Sequence, residues 1–164
     1  MRSIEIRSAE STEIDRLAQL WYDGWQDAHA DILPTELSRN RTLENFRQRL
    51  REDLASVRVA GSPSRPAGFC MIRQDELYQL YVSKEARGTG VAIALLADAE
   101  RRLAADGATR AWLACAIGNE RAMRFYEKHS WYRVGSMINE LKTAEGIFEL
   151  EVWRYEKTIS SLGP

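Results

Sequence analysis

The sequence predicts a single α/β (α+β) domain whose sheet is mixed and mostly antiparallel, with one β-α-β crossover near its centre. Three observations carry that expectation. Strand-like segments follow one another directly between Val57 and Val82, which forces antiparallel pairing there. The last of them, Glu76 to Val82, runs into a long helix and then a further strand, Ala111 to Ala116, the order of a parallel crossover. The chain of 164 residues carries no repeat, low-complexity tract or linker that would divide it, so residues 1–160 read as one domain and 161–164 as a tail.

Each element has a local reason. Ser3 to Arg7 alternates polar and apolar around Ile4 and Ile6, a short strand. Ser11 or Thr12 offers an N-cap to a helix in which Ile14, Leu17, Ala18, Trp21, Trp25 and Ala28 recur at helical spacing, ending near Ile32-Leu33-Pro34. A more polar helix from about Leu43 to Asp53 turns Phe46 and Leu50 inward. Val57 to Val59 is a strand, Gly61 to Pro66 a hairpin loop, and Ala67 to Ile72 and Glu76 to Val82 are strands around a turn at Gln74-Asp75. Between Thr89 and Ala105, Val91, Leu95, Ala99 and Leu103 form one stripe with Asp98, Arg101 and Arg102 outside, and Asp106-Gly107 closes that helix. Ala111 to Ala116 is an apolar strand, Asn119 to His129 a short helix, and two last strands lie near Trp131–Met137 and Phe148–Tyr155.

Composition narrows the function classes. Hydrophobic residues are 45% and charged residues 29%, ordinary for a folded globular chain. Lys+Arg total 23 and Asp+Glu 24, a net charge of −1, which argues against a surface built for nucleic acid or an anionic membrane. Met1-Arg2-Ser3-Ile4-Glu5 starts no apolar signal region, and Val91 to Ala97, the longest apolar run, is too short to span a bilayer, so a cytoplasmic protein is expected. Cys70 and Cys115 lack metal-ligand or CxxC spacing; they read as buried small hydrophobes, with no metal site.

The informative stretch runs from Glu76 to Ala92. A strand enters a turn holding Gly88 and Gly90, and a long helix starts at once. The amides of a helix start are unpaired and backed by the positive end of the helix dipole, and glycines keep side chains from blocking an approaching anion. The turn therefore predicts a phosphate or pyrophosphate cradle. It is not a P-loop, since GxxxxGK[ST] is absent, and it is not a dinucleotide fingerprint, since Ile93 stands where a small residue is required.

Arg87-Gly88-Thr89-Gly90-Val91-Ala92 matches R-x-x-G-x-A, and Asn119 to Lys128 matches N-x-x-A-x-x-F-Y-x-K. With these two motifs in this order the sequence resembles the GNAT superfamily of acyl-CoA-dependent N-acetyltransferases. The resemblance spans nearly the whole chain in element order and is most specific from Glu76 to Trp131. It implies the GNAT-like acyl-CoA N-acyltransferase fold, with helices on both faces of the sheet, and acetyl-CoA as the cofactor, with coenzyme A as product. It implies that Arg87, Gly88, Thr89, Gly90, Val91 and Ala92 bind the pyrophosphate through main-chain amides, with Asn119 opening the second motif. Backbone groups of Leu80, Tyr81 and Val82 would pair with the pantetheine arm, one amide polarising the acetyl carbonyl. Tyr126 would protonate the departing thiolate, and Glu76, eleven residues before Arg87, matches the family's frequent strand glutamate; Tyr126 is the stronger catalytic candidate.

The pattern is broken at His129-Ser130-Trp131, where the family commonly has Gly-Phe and where Ser130 lacks the left-handed freedom of glycine. Lys84, Arg87, Arg121, Arg124 and Lys128 gather basic charge around the two motifs.

The acceptor is less legible. Trp21, Trp25 and His29 share one side of the first helix, either as core or, for Trp25 and His29, as the wall of a small-amine site. Asp23, Asp27 and Asp31 read as a solvated stripe, and the Arg39–Arg51 stretch, interleaved with Glu44, as no ligand site. The expected reaction is transfer of acetyl from acetyl-CoA to a primary amine by direct attack on the thioester, with a small-molecule acceptor. The alternatives are a protein N-terminal or lysine acetyltransferase and a non-catalytic acyl-CoA-binding module. Trp131, Trp153 and the last two strands, read as exposed, offer a surface for a homodimer.

Overall fold

The computed structural model describes residues 4–159. Seven strands form one sheet in the order β1-β2-β3-β4-β5-β7-β6. They are β1 (Ile6–Ser8), β2 (Val57–Ser62), β3 (Arg65–Arg73), β4 (Glu76–Val82), β5 (Arg110–Ala116), β6 (Tyr132–Thr143) and β7 (Gly146–Thr158). Among the described residues five α-helices cover it: α1 (Ile14–His29), α2 (Thr35–Asn40), α3 (Leu43–Glu52), α4 (Val91–Ala105) and α5 (Glu120–Lys128). The mixed, mostly antiparallel sheet and its central crossover, β4-α4-β5, are as expected from the element order, and β5-α5-β6 makes a second crossover with β7 inserted between its strands. Ser3 of the expected first strand and the 161–164 tail lie outside the described residues.

Two cores face opposite sides of the sheet. On one, Trp21 of α1 packs with its ring centre 4.7 Å from that of Phe46 of α3, tilted, and 5.4 Å from that of Phe69 of β3, edge to face, with Leu17, Leu37 and Leu50 filling in around them. On the other, the stripe Val91, Leu95, Ala99 and Leu103 of α4 packs onto Cys70, Leu113 and Tyr155. Burying each such Leu or Val contributes about 1.5–3 kcal/mol. Gly68 permits this close approach, because a Cβ there would stand 2.8 Å from the Tyr81 carbonyl oxygen and 2.9 Å from Leu95.

Several expectations are corrected. The first helix begins after a 3-10 turn at Ser11–Glu13, and neither Ser11 nor Thr12 caps it. The cap is Glu13, whose buried carboxylate accepts the Glu10 amide at 2.8 Å and Arg7 at 2.7 and 2.9 Å. Beyond Pro34 the chain forms the short α2, which its mixed composition had not signalled. Asp98 is not on the outside of α4: it is buried, held by Arg58 at 3.3 Å and by Arg101 and Arg102 at 3.6 Å. A carboxylate loses water there at a cost that several guanidinium groups offset. Trp131 is likewise buried, its indole Nε1 donating to Glu100 at 3.1 Å, so it offers no dimer surface. Ser130 does adopt the left-handed turn, at φ 71°.

Two irregularities of β4 position the site. Pairing with β3 advances from Met71–Gln79 to Ile72–Leu77, which makes Tyr78 a bulged extra residue. The bulge inverts the side-chain alternation, so Leu77 packs with Leu80 and Val82 on the α4 side while Glu76 turns toward α1. On its other edge β4 meets β5 at a single registered pair, Glu76 with Trp112. Past that pair the two parallel strands splay apart.

Candidate functional site

The splay leaves the far half of β4 with an unpaired edge. The Ser83 amide donates to the Ala67 carbonyl on β3. Backbone groups alternate along a strand, so those of Tyr81 also face β3, whereas those of Leu80 and Val82 face the open gap. At the end of β4 the chain passes through a 3-10 turn, Lys84–Ala86, into the glycine turn. Gly88 (φ 77°) and Gly90 (φ 91°) are both left-handed, a conformation L side chains rarely adopt. The amides of Gly88, Gly90, Val91 and Ala92 donate to no backbone carbonyl among the described residues. They are the orphan donors of the α4 start, and a Cβ on Gly88 would project into open space.

A groove of about 390 Å³ runs from this turn along α5. Leu80, Tyr81, Val82, Arg87, Gly88, Gly90, Ala92, Asn119 and Tyr126, all expected site residues, line it. Thr89 and Val91 do not: the Thr89 hydroxyl donates to the Ala86 carbonyl, and the Val91 side chain enters the core. Asn119 caps α5, its Oδ1 accepting the Ala122 amide at 3.3 Å. Of the basic residues, Arg87, Arg121 and Lys128 border the groove, while Arg124 lies 3.9 Å from Glu120 and Lys84 lines a neighbouring depression.

One residue read as solvated acts at the groove mouth. The Asp27 carboxylate of α1 accepts from Arg87 at 2.6 Å and Arg121 at 3.3 Å. These hydrogen bonds, from Arg87 first and then Arg121, hold it below the usual carboxylate range. Gly24, one turn earlier on α1, has no room for a side chain, since a Cβ would meet the Tyr81 ring at 2.6 Å.

Two smaller spaces adjoin the groove. A gap of about 90 Å³ between β4 and β5 shares Leu80, Tyr81, Asn119, Ala122 and Tyr126 with the groove. It shares His29, Tyr78, Gln79 and Tyr81 with a cavity of about 130 Å³ on the α1 side. Tyr126 therefore stands at the groove end and Glu76 at the cavity end, and no single space holds both. Burial raises the Tyr126 phenol well above its ordinary range, and the neighbouring Cys115 and Tyr81 add to the effect, so it stays protonated at neutral pH. Burial also pushes the Glu76 carboxyl up to about 7.

Trp25 and His29 both line the cavity. The His29 Nδ1 lies 3.1 Å from the Trp25 carbonyl, which suits an Nδ1–H donor and leaves Nε2 as the basic atom. Burial brings His29 down to about 4, so the ring is neutral. Cys115 in the gap and Cys70 in the core are free and buried, both thiols pushed up to about 12 by burial.

The sequence reading missed the cavity's cations. Arg41, between α2 and α3, is buried, and burial together with the like charge of Arg49 pushes it down to about 10, still charged at neutral pH. Arg49 lies 4.4 Å over the Trp21 ring and donates to the Tyr78 hydroxyl at 2.8 Å. Burial raises the Tyr78 phenol, but Arg49 and Arg73 pull it further the other way, and it ends below its ordinary range. A signal existed: Arg49 falls between Phe46 and Leu50 on the inward face of α3, a cation on an apolar stripe.

Comparison with known proteins agrees with this geometry. Residues 14–131 match the family described as Acetyltransferase (GNAT). An uncharacterized N-acetyltransferase of Mycobacterium tuberculosis is 32% identical over 109 residues, 63% of this chain and 67% of its own. Among solved structures, a GCN5-related N-acetyltransferase from Rhodopseudomonas palustris superposes with a TM-score of 0.75 at 19% identity, covering 97% of this chain and 98% of its own. The PaiA N-acetyltransferase of Thermoplasma acidophilum, crystallised with coenzyme A, gives a TM-score of 0.65 at 21% identity, over 96% and 99% of the two chains. No helix among the described residues is long and apolar enough to cross a membrane.

Proposed function

The chain belongs to the GNAT acetyltransferase family, and from that premise we propose that it moves an acetyl group from acetyl-CoA to a primary amine of a small molecule. The observation that carries this reading is that groove, gap and cavity adjoin in that order through shared lining residues, with unpaired main-chain groups at one end and titratable side chains at the other. The cavity of about 130 Å³ beneath α1 supports a small acceptor over a folded protein surface.

The residues present fit the cofactor. The free amides of Gly88, Gly90, Val91 and Ala92, with Arg87 and Arg121 beside them, suit the oxygens of a pyrophosphate. The unpaired edge of β4 at Leu80 and Val82 suits an extended amide-bearing arm, added as a strand would be. When bound, acetyl-CoA supplies an acyl group activated as a thioester.

The chain's own groups then divide the work. A β4 amide donates toward the acyl oxygen, where negative charge grows. Glu76 accepts the proton that the amine nitrogen releases as its N–C bond forms. A carboxylate near pKa 7 suits that task at neutral pH better than His29 near 4. Tyr126 donates its hydroxyl proton toward the sulfur as the C–S bond breaks. Base and acid act from opposite sides of the gap, which fits direct transfer without an acyl-enzyme.

Three measurements test this. Saturating acetyl-CoA should raise the melting temperature, and an amine panel should release free thiol from acetyl-CoA; no shift and no thiol would refute the reading. Tyr126→Phe should lower kcat by about tenfold or more with acetyl-CoA affinity held. An unchanged kcat would remove Tyr126 from the chemistry.

A further inference from the structure

We propose that the acceptor carries a carboxylate beside its amine, an amino-acid-class molecule whose carboxylate is held by Arg41 and Arg49. The proposal rests on the acetyl-transfer reading above and names the acceptor class for that same site.

The argument begins with which arginines lack an anion. Among the described residues most arginines lie within 4 Å of a carboxylate, as Arg7 does with Glu13 and Arg58 with Asp98. Arg16, Arg65 and Arg133 do not, and all three are exposed, where water solvates them. Arg41 and Arg49 also have no carboxylate partner, yet Arg41 is only 4% exposed and Arg49 is half-buried beneath Trp21. Both line one cavity. Nη1 of Arg41 is used by the Asn45 side chain at 3.3 Å and the Lys142 carbonyl at 3.1 Å, and Nη2 of Arg49 by the Tyr78 hydroxyl at 2.8 Å. A guanidinium has five N–H groups, so donors remain on each. The indole Nε1 of Trp21, on the same wall, is buried with no hydrogen-bond acceptor within 3.5 Å among the described residues, the Tyr81 ring standing 6.4 Å from the indole centre to centre.

Among the described residues Glu76 is the one acidic side chain of that lining, and it too has no ion pair. Two fixed cations and one carboxyl at near-neutral pKa make the cavity net positive. A polyamine would bring more positive charge to two arginines. An acceptor with both an amine and a carboxylate presents one group to Glu76 and the other to the guanidinium pair, and planar guanidinium groups match carboxylate geometry bidentately.

The test uses matched pairs, amino acids against the amines left by removing their α-carboxylate, with spermidine as a polycationic control. Acetyl transfer is followed by thiol release in the wild-type enzyme, in Arg49→Met, which keeps an apolar stem against Trp21, and in Arg41→Lys. The carboxylate-bearing member of a pair should be preferred at least tenfold in kcat/KM, the difference lying mainly in KM. Arg49→Met should bring that ratio to within about threefold, and Arg41→Lys should lower it less. Calorimetric binding of the N-acetylated amino acid products gives a readout without turnover, and should weaken in parallel. Retained stabilisation by acetyl-CoA certifies that each variant is folded; if a variant fails this, the wild-type ratios and product binding decide alone.

Equal or better turnover of the decarboxylated amines, or a preference that survives both variants, overturns the proposal and leaves acetyl transfer standing. Acetyl-CoA stabilisation with no transfer to any carboxylate-bearing amine overturns it as well. Absence of both acetyl-CoA binding and thiol release brings down the acetyl-transfer reading itself.

Discussion

The groove along α5 and the cavity beneath α1 open on opposite sides of one gap, yet they are built by opposite means. One end of the groove is main chain, the free amides of Gly88, Gly90, Val91 and Ala92 set by two left-handed glycines. The cavity is side chains brought from six places: His29 of α1, Arg41 before α3, Arg49, Glu76, Asn139 of β6 and Leu150 of β7. A main-chain site depends on local dihedral angles and small residues, so it needs few long-range contacts. A side-chain site depends on register and packing across the whole fold, and it stores charge at a cost of several kcal/mol per buried ion. Under the proposed function, the cofactor half of the reaction rests on a short segment and the acceptor half on tertiary assembly.

That contrast can be broken from either side. The largest effect is expected at Glu76. Burial raises its carboxyl from the ordinary 4.5 to about 7, so the folded protein keeps a proton that the unfolded chain gives up between those values. Stability attributable to this group therefore falls as pH rises through that window. Glu76→Gln should cost about 100-fold in kcat/KM and abolish a rate limb rising near pH 7. The same variant should gain stability above pH 7, by up to about 3 kcal/mol. A variant that keeps wild-type turnover and its pH profile would make Glu76 structural only.

Next in size is Gly90→Ala. A Cβ there would meet only Ile4 at 3.5 Å, an ordinary contact, so the cost is conformational. The expected loss is about 1–2 kcal/mol of stability with acetyl-CoA affinity down roughly tenfold, read by melting and calorimetry. Unaltered affinity would relocate the anion cradle.

Asp27 joins the two regions, since α1 carries it to the groove mouth. Asp27→Asn releases Arg87 and Arg121 and should tighten acetyl-CoA binding about threefold at low salt, less at high salt. Weaker binding would instead make Asp27 the residue that aligns the two arginines. The smallest effect belongs to Ser130→Gly at the exit of α5. The left-handed strain relieved is about 1–2 kcal/mol and the added unfolded-state entropy about 0.5–1 kcal/mol. A net gain of about 0.5 kcal/mol should appear in chemical denaturation, with catalysis unaffected.

Much of the fold was legible where the pattern is local and strong. The stripe on α4, the bounds of β4, the Leu43 helix and the Asn119 cap all follow from periodicity and capping within a few residues. The short α2 was missed because six mixed residues carry too little periodicity. Asp98 was misread because its charge suits solvent locally, and only β2 brings Arg58 to it. Arg41 and Arg49 were hidden in a charged stretch whose other arginines pair with Glu44, Asp15 or Glu145 at the surface.

The sequence by itself determined the glycine turn, its helix and the tyrosine-bearing second motif, hence the kind of chemistry. Each depends on dihedral angles and hydrogen bonds among neighbours in the chain. Tertiary structure alone decided that β4 bulges at Tyr78 and turns Glu76 toward α1, and that β4 and β5 part beyond one pair. It also decided that Arg41 and Arg49 line one cavity with Trp21. Those outcomes depend on strand register and on packing between residues up to about a hundred positions apart, as in the bond from Arg41 to the Lys142 carbonyl (|i−j| = 101), which no local pattern encodes.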